Sequence, residues 1–252
     1  MTQEYNQELG ALRSNITLTL HSQYATRLWL GRAVVREGDK IVKPPILSMP
    51  GCLAILSQIQ KDAANDDPYA DWYLIQFEEK VLSYMENMKK LVNDLVDVYN
   101  QNLPDNIDIS RCENISPVTY PIFVNSQLGY KLIYLLSEFD VLARSVMTAS
   151  HIALMTKEQA REWLEAGASL IRKCFGVVET YRYSGITRQD ALENNQRYQE
   201  CVARFKLELP QDILSGERRA MFAPVIRQLS SEAELGEVTS LDSEYEAKNE
   251  HI

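Results

Sequence analysis

The stretch Ser14-Asn15-Ile16-Thr17-Leu18-Thr19-Leu20-His21 alternates polar and apolar side chains without a break. Period two, with Thr and Ile content, is the pattern of a strand that buries one face and exposes the other. Ile16, Leu18 and Leu20 share the apolar face, and Asn15, Thr17, Thr19 and His21 share the polar one. His21 or Ser22 then opens a short helix, with Tyr24, Leu28 and Trp29 on its inner side and Gly31 as its stop.

Downstream of the strand the pattern is helical. Residues 32–47 read as a charged connection closed by Pro44-Pro45. Ser48 caps a helix over about 49–64, with Pro50 in its first turn. Between about 69 and 101, Val81, Met85, Met88, Val92, Leu95 and Tyr99 succeed one another at steps of four and three, a heptad seam. Residues 107–124 read as short extended pieces, which Pro117 and Pro121 confine to edge strands or loops. Further helices are expected over about 127–149, 157–182 and 188–207. The last is supported by the pairs Glu193–Arg197 and Glu200–Arg204. The fold class is therefore mainly α, or α+β, with one strand in front of a helical bundle.

A lone strand leaves its backbone donors and acceptors without partners. Self-pairing across a dimer axis solves this, and gives a homodimer with Ile16, Leu18 and Leu20 of both copies facing the helices. The polar face of such a ribbon fits the major groove of DNA, where Asn15, Thr17, Thr19 and His21 meet base edges. Arg13, Arg27, Arg32, Arg36, Lys40 and Lys43 surround it as phosphate contacts. The competing account is a half-exposed edge strand with the ordinary β-propensity of threonine.

Charge fits this reading only when it is mapped along the chain. The 252 residues carry a net −9. Residues 230–252 hold seven carboxylates against Lys248, a net of −6, while residues 10–48 hold six cations against Glu37 and Asp39, a net of +4. Local field decides where a polyanion settles. The acidic tail, 230–252, is expected to be disordered, and 1–12 to be a flexible arm. No apolar run is long enough to span a membrane, and the N-terminus is polar and acidic, so a cytoplasmic chain is expected. Cys52, Cys112, Cys174 and Cys201 show no paired spacing and read as reduced thiols. His21, His151 and His251 lie at no metal-ligand spacing, and no glycine-rich phosphate loop is present. No enzyme, metal site or cofactor is expected. Asp66-Asp67 reads as helix termination and Glu78-Glu79 as a solvated face.

Asn15-Ile-Thr-Leu-Thr-Leu-His-Ser22 followed by Arg27-Leu-Trp-Leu-Gly-Arg32 resembles the opening of the AcaB-like transcriptional regulators of conjugative plasmids and integrative conjugative elements. Asp66-Asp-Pro-Tyr-Ala-Asp-Trp-Tyr73, Tyr181-Arg-Tyr-Ser-Gly-Ile-Thr-Arg-Gln-Asp190 and Arg218-Arg-Ala-Met-Phe-Ala-Pro-Val-Ile-Arg227 extend the likeness, in order, over about 9–228. The resemblance implies a ribbon-helix-helix-like element over 13–64, a helical body over 65–229, and a role in activating conjugative transfer genes. RNA polymerase or another regulator is then a further partner. The sequence departs from the ribbon-helix-helix pattern at one point: about 17 residues, not a short turn, separate the two helices.

The expected function is thus sequence-specific DNA binding and transcriptional activation. Two alternatives stay open. One is a helical interaction or scaffold protein of the conjugation machinery that does not bind DNA, favoured by the long seam and the acidity. The other is an enzyme at the cluster Arg182, Tyr183 and Arg188, a cluster that reads more readily as a polar turn between helices.

Overall fold

The alternating stretch forms β1 (Ile16–Leu20), and its burial follows the alternation, with Leu18 and Leu20 buried and Thr17 and Thr19 exposed. The computed structural model describes residues 15–227. The expected arm over 1–12, Arg13 and the expected disordered tail over 230–252 lie outside the described residues. β1 finds its partner in its own chain. β4 (Val118–Ile122) runs antiparallel to it, with Leu18 opposite Tyr120 and Thr19 opposite Thr119. One of the extended pieces expected over 107–124 is thus the partner, and this edge of the strand is satisfied without the self-pairing across a dimer axis. Pro121 is tolerated because β4 pairs on one side only, so its missing N–H interrupts no second ladder.

Ser22 ends the strand and caps α1 (Gln23–Leu30), its hydroxyl accepting from the Ala25 N–H at 3.1 Å. Ser48 caps α2 (Met49–Ala64) in the same way, accepting from Gly51. The connection between the two helices is not irregular chain. It holds a hairpin, β2 (Val35–Glu37) and β3 (Lys40–Lys43), turned by Gly38-Asp39 with Gly38 at φ +60. All seven of its strand residues are exposed. Arg32 and Ile46 then exchange both backbone hydrogen bonds, at 2.9 and 2.8 Å, and close the loop at its base. The end of α1 therefore lies against the start of α2. Gly31 sits so close that a Cβ there would lie 2.6 Å from the Ile46 carbonyl oxygen.

The heptad seam becomes the centre of α3 (Pro68–Asn102), a helix about 50 Å long at about 1.5 Å per residue. Val81, Met88 and Leu95 are fully buried, and Met85, Val92 and Tyr99 pack at their margin. α4 (Gln127–His151) and α5 (Lys157–Glu179) pack on α3 and on each other, with α2 against α3. The helix expected over 188–207 is two, α6 (Arg188–Leu192) and α7 (Gln196–Phe205). Asn194 at φ +47 breaks it and Asn195 caps the second piece. Glu193 and Arg197 therefore do not face each other, and Arg197 donates to the Gly185 carbonyl instead. A short α8 (Gln211–Leu214) comes next. Among the described residues no helix is long and apolar enough to cross a membrane.

Candidate nucleic-acid interface

The exposed face of the β1–β4 ribbon is built from threonine. Thr17 and Thr19 project from β1, with Pro121 and Thr119 opposite them on β4. The Thr19 and Thr119 hydroxyls lie 3.1 Å apart. Each retains further donor or acceptor capacity toward solvent. Sequence reasoning misses Thr119, although Val118-Thr-Tyr-Pro-Ile122 alternates as β1 does. Asn15 is exposed just before the strand. His21, at the other end, is half-buried, and its Nδ1 and carbonyl oxygen both accept from Asn114. Of the three residues expected on the inner side, Leu18 and Leu20 are buried, while Ile16 opens the strand at 41% exposure.

Two contacts hold this ribbon to the bundle. Asp140 of α4 is 4% exposed, and its two oxygens accept from the backbone N–H groups of Ser22 (2.7 Å) and His21 (3.1 Å). A buried carboxylate on two backbone donors fixes the point where β1 becomes α1. Trp29, on the last turn of α1, stacks on Tyr120 of β4 with ring centroids 4.5 Å apart. α1, β1 and β4 are thereby locked as one unit.

The expected phosphate contacts divide between two places. Arg36, Lys40 and Lys43 are gathered on the exposed hairpin, beside Glu37 and Asp39. Arg27 is exposed on α1. Arg32 is exposed too, but its guanidinium donates to the Pro44 carbonyl from Nη2 (2.8 Å) and Nε (3.3 Å), bracing the base of the hairpin.

The Arg182–Tyr183–Arg188 cluster does not form an anion site. Arg188 is buried and already neutralised, pairing with Asp66 at 2.5 Å and with Asp71, which is fully buried and also held by Arg219 at 2.8 and 2.9 Å. Arg182 turns back onto the Tyr181 and Glu179 carbonyls, and Tyr183 is exposed. Asp67 caps α3 and accepts from Tyr69, Ala70 and the Ser184 hydroxyl. Burial outweighs those hydrogen bonds and raises its carboxyl to about 6. Glu78, expected on a solvated face, instead accepts from the Met221 and Phe222 N–H groups and anchors the C-terminal segment. Cys52, Cys174 and Cys201 are buried in helices. Burial pushes Cys174 up to about 12 and Cys52 well above its ordinary range, so both stay protonated at neutral pH. Among the described residues no group of His, Cys, Asp and Glu is arranged to hold a metal ion.

A family model described as transcriptional regulator AcaB matches residues 8–227. Among solved structures, the chain is similar to selenomethionine-containing AcaB from uropathogenic E. coli. The identity is 17% and the TM-score 0.49, over 84% of this chain and 98% of that one. No curated protein matches the sequence.

Proposed function

Because this chain belongs to the AcaB family of transcriptional regulators, we propose that it is a sequence-specific DNA-binding activator of conjugative transfer genes. It acts in the cytoplasm and reads its operator with the β1–β4 ribbon. The observation that carries this reading is the outer face of β1, where Thr17 and Thr19 are exposed and free of the core while Leu18 and Leu20 anchor the strand. A two-stranded antiparallel ribbon has the width of the major groove, and hydroxyls and amides can bond base edges there. Thr119 joins Asn15, Thr17, Thr19 and His21 as a reader. Arg13, Arg27, Arg32, Arg36, Lys40 and Lys43 serve phosphates.

The ribbon-helix-helix likeness gains support from the hairpin. Because the chain returns to Ile46 at the end of α1, α2 starts where a short turn would have put it. The element over 13–64 is then a strand and two helices with an inserted arm. A homodimer is proposed through the other edge of β1, which has no strand beside it among the described residues. Two copies paired there would put both β1 strands at the centre of the sheet, so that the central pair of strands, not the whole sheet, is what the groove admits, and would double the cationic segment. RNA polymerase or another regulator is the further partner that activation requires.

The test is a set of titrations on operator and scrambled duplex at several salt concentrations. Thr17→Ala and Asn15→Ala are expected to lower operator affinity by about 1–3 kcal/mol and to leave scrambled binding unchanged. Arg36→Ala is expected to weaken both and to lower the salt slope by about one unit. Equal losses on both duplexes for the first pair would remove the ribbon from base readout. No binding at any salt would leave the rival, an interaction protein that does not bind DNA. The pairing of β1 within its own chain bears on the homodimer alone: that edge of the strand is satisfied without a second copy.

A further inference from the structure

A groove of about 850 Å³ runs along one side of α2, from Ala64 at its end to Pro50 at its start. Its lining also takes in Pro121 to Gln127, at the end of β4 and after it, and Met221 to Pro224. Three features define what would fill it. The lining is largely apolar, and Phe123 and Met221 on its rim are 90% and 79% exposed, a patch that favours cover. The charged residues among the lining are Lys61 and Arg227, with no carboxylate, in a chain of net charge −9. Arg227 is also the last described residue, and its N–H donates to the Ala64 carbonyl at 2.8 Å, so the chain leaves the described structure at the groove's Ala64 end.

Beyond Arg227 the sequence continues for 25 residues that carry seven carboxylates and one lysine, with Leu229, Leu235, Val238, Leu241 and Tyr245 among them. We propose that this groove is the docking site of the chain's own segment 228–252, which there holds its carboxylates against the DNA-reading ribbon. The fourteen helical steps from Ala64 to Pro50 amount to about 21 Å. An extended chain crosses that distance in about six residues. Leu229 then lies within the groove, and Glu232, Glu234 and Glu237 reach its Pro50 end. That end adjoins the ribbon: Gly31 abuts Ser48 at the start of α2, Trp29 stacks on Tyr120 of β4, and the next residues, Pro121 and Ile122, line the groove and pair with Thr17 and Ile16 of β1. The carboxylates offer the cations around the ribbon what a phosphate backbone offers, and nonspecific DNA must displace them. The docking stands on the groove alone; the competition with DNA rests on the function proposed above.

The experiment separates the two. In full-length chain with the exposed Cys112 replaced by serine, Ser57→Cys, on the groove side of α2, is combined with Ser230→Cys, which the spacing puts opposite it. A second chain carries Gln58→Cys, one position round the helix and outside the lining, with the same Ser230→Cys. Docking predicts an intramolecular disulfide that forms at least tenfold faster at 57 than at 58. Equal rates would mean that the segment is merely tethered and would overturn the docking. A cross-link found only between chains would assign the groove to a second copy and overturn it as well. In parallel, Glu232, Glu234 and Glu237 are changed together to glutamine and the full chain is titrated with scrambled duplex at low salt. Tighter binding by about tenfold is expected. Unchanged affinity with the fast 57 cross-link intact would overturn the competition. A fast cross-link in a chain that binds no duplex would sink the DNA-binding function and leave the docking standing.

Discussion

Asp140→Ala isolates the joint between the β1–β4 ribbon and the helical bundle. The carboxylate is the acceptor for the Ser22 N–H at 2.7 Å and the His21 N–H at 3.1 Å, both at the turn from β1 into α1. A hydrogen bond to a charged group contributes about 1.5–3 kcal/mol when its donor is buried. Ser22 is 3% exposed and bears the full loss, whereas His21 is half-buried and its N–H recovers part of the loss from water. The sum is about 3 kcal/mol. For a chain of this size that corresponds to about 6–12 °C in melting temperature. Asp140→Asn keeps one acceptor and is expected to recover about half. Thermal denaturation gives the total, and native-state hydrogen exchange at the Ser22 amide gives the local part, a loss of protection of about a hundredfold. If the alanine variant melts within about 2 °C of the parent and Ser22 stays protected, α4 does not hold the ribbon, and the coupling of ribbon to bundle falls with it.

Gly31→Ala places a Cβ 2.6 Å from a backbone oxygen at a φ of +70, and is expected to cost about 3 kcal/mol or more in chemical denaturation, because neither backbone can yield. Arg188→Ala leaves the fully buried Asp71 with Arg219 alone, and Asp66 without its partner; a loss of about 3–5 kcal/mol is expected, and a loss under 1 kcal/mol would show that the pair does not brace the fold. The Asp67 carboxyl, raised from 3.8 to about 6 by burial, keeps in the folded state a proton that the unfolded chain has released. Stability from this group is therefore full below about pH 4 and declines as pH rises toward 6, by up to about 3 kcal/mol. Asp67→Asn should remove that decline, which stability curves at pH 4, 5, 6 and 7 would reveal.

The helices are legible in the sequence because their signals are local. The seam from Val81 to Tyr99 repeats within one element, and Ser48 with Pro50 marks a helix start in three residues. Segments whose meaning depends on distant partners are not legible in this way. β4 carries a proline and only five residues, and what makes it a strand is β1, which pairs Thr19 with Thr119 across a hundred positions. The hairpin has no buried face, so no alternation of burial can announce it; Gly38-Asp39 is its only cue. Asn194-Asn195 is a stop followed by a start, hidden inside an otherwise helical pattern. Arg188 resembles an anion binder in sequence because its counter-charge, Asp71, lies 117 residues away. At the candidate site, alternation alone places Thr17, Thr19, Leu18 and Leu20 on their correct faces, since period two is a property of the strand whatever it pairs with.

The disposition of acids explains how a chain of net −9 can present a cluster of exposed cations in its N-terminal segment. Asp140 is occupied by two backbone donors, Asp67 by the start of α3, Asp62 by Tyr181, and Asp66 and Asp71 by Arg188 and Arg219. These carboxylates lie inside the fold or on its inner joints, where hydrogen bonds and guanidinium groups compensate them, and they project little field outward. Arg27, Arg36, Lys40 and Lys43, by contrast, are exposed and form no ion pair among the described residues. Paired charges cancel over a Debye length of about 8 Å, and unpaired ones do not. The field near the ribbon is then set by those four cations, by Glu37 and Asp39 beside them on the hairpin, and by whichever other anion is nearest, a phosphate or a carboxylate of the chain's own C-terminal segment. Net charge governs how the molecule behaves at long range in dilute salt, while affinity for a duplex in contact with β1 depends on the local balance.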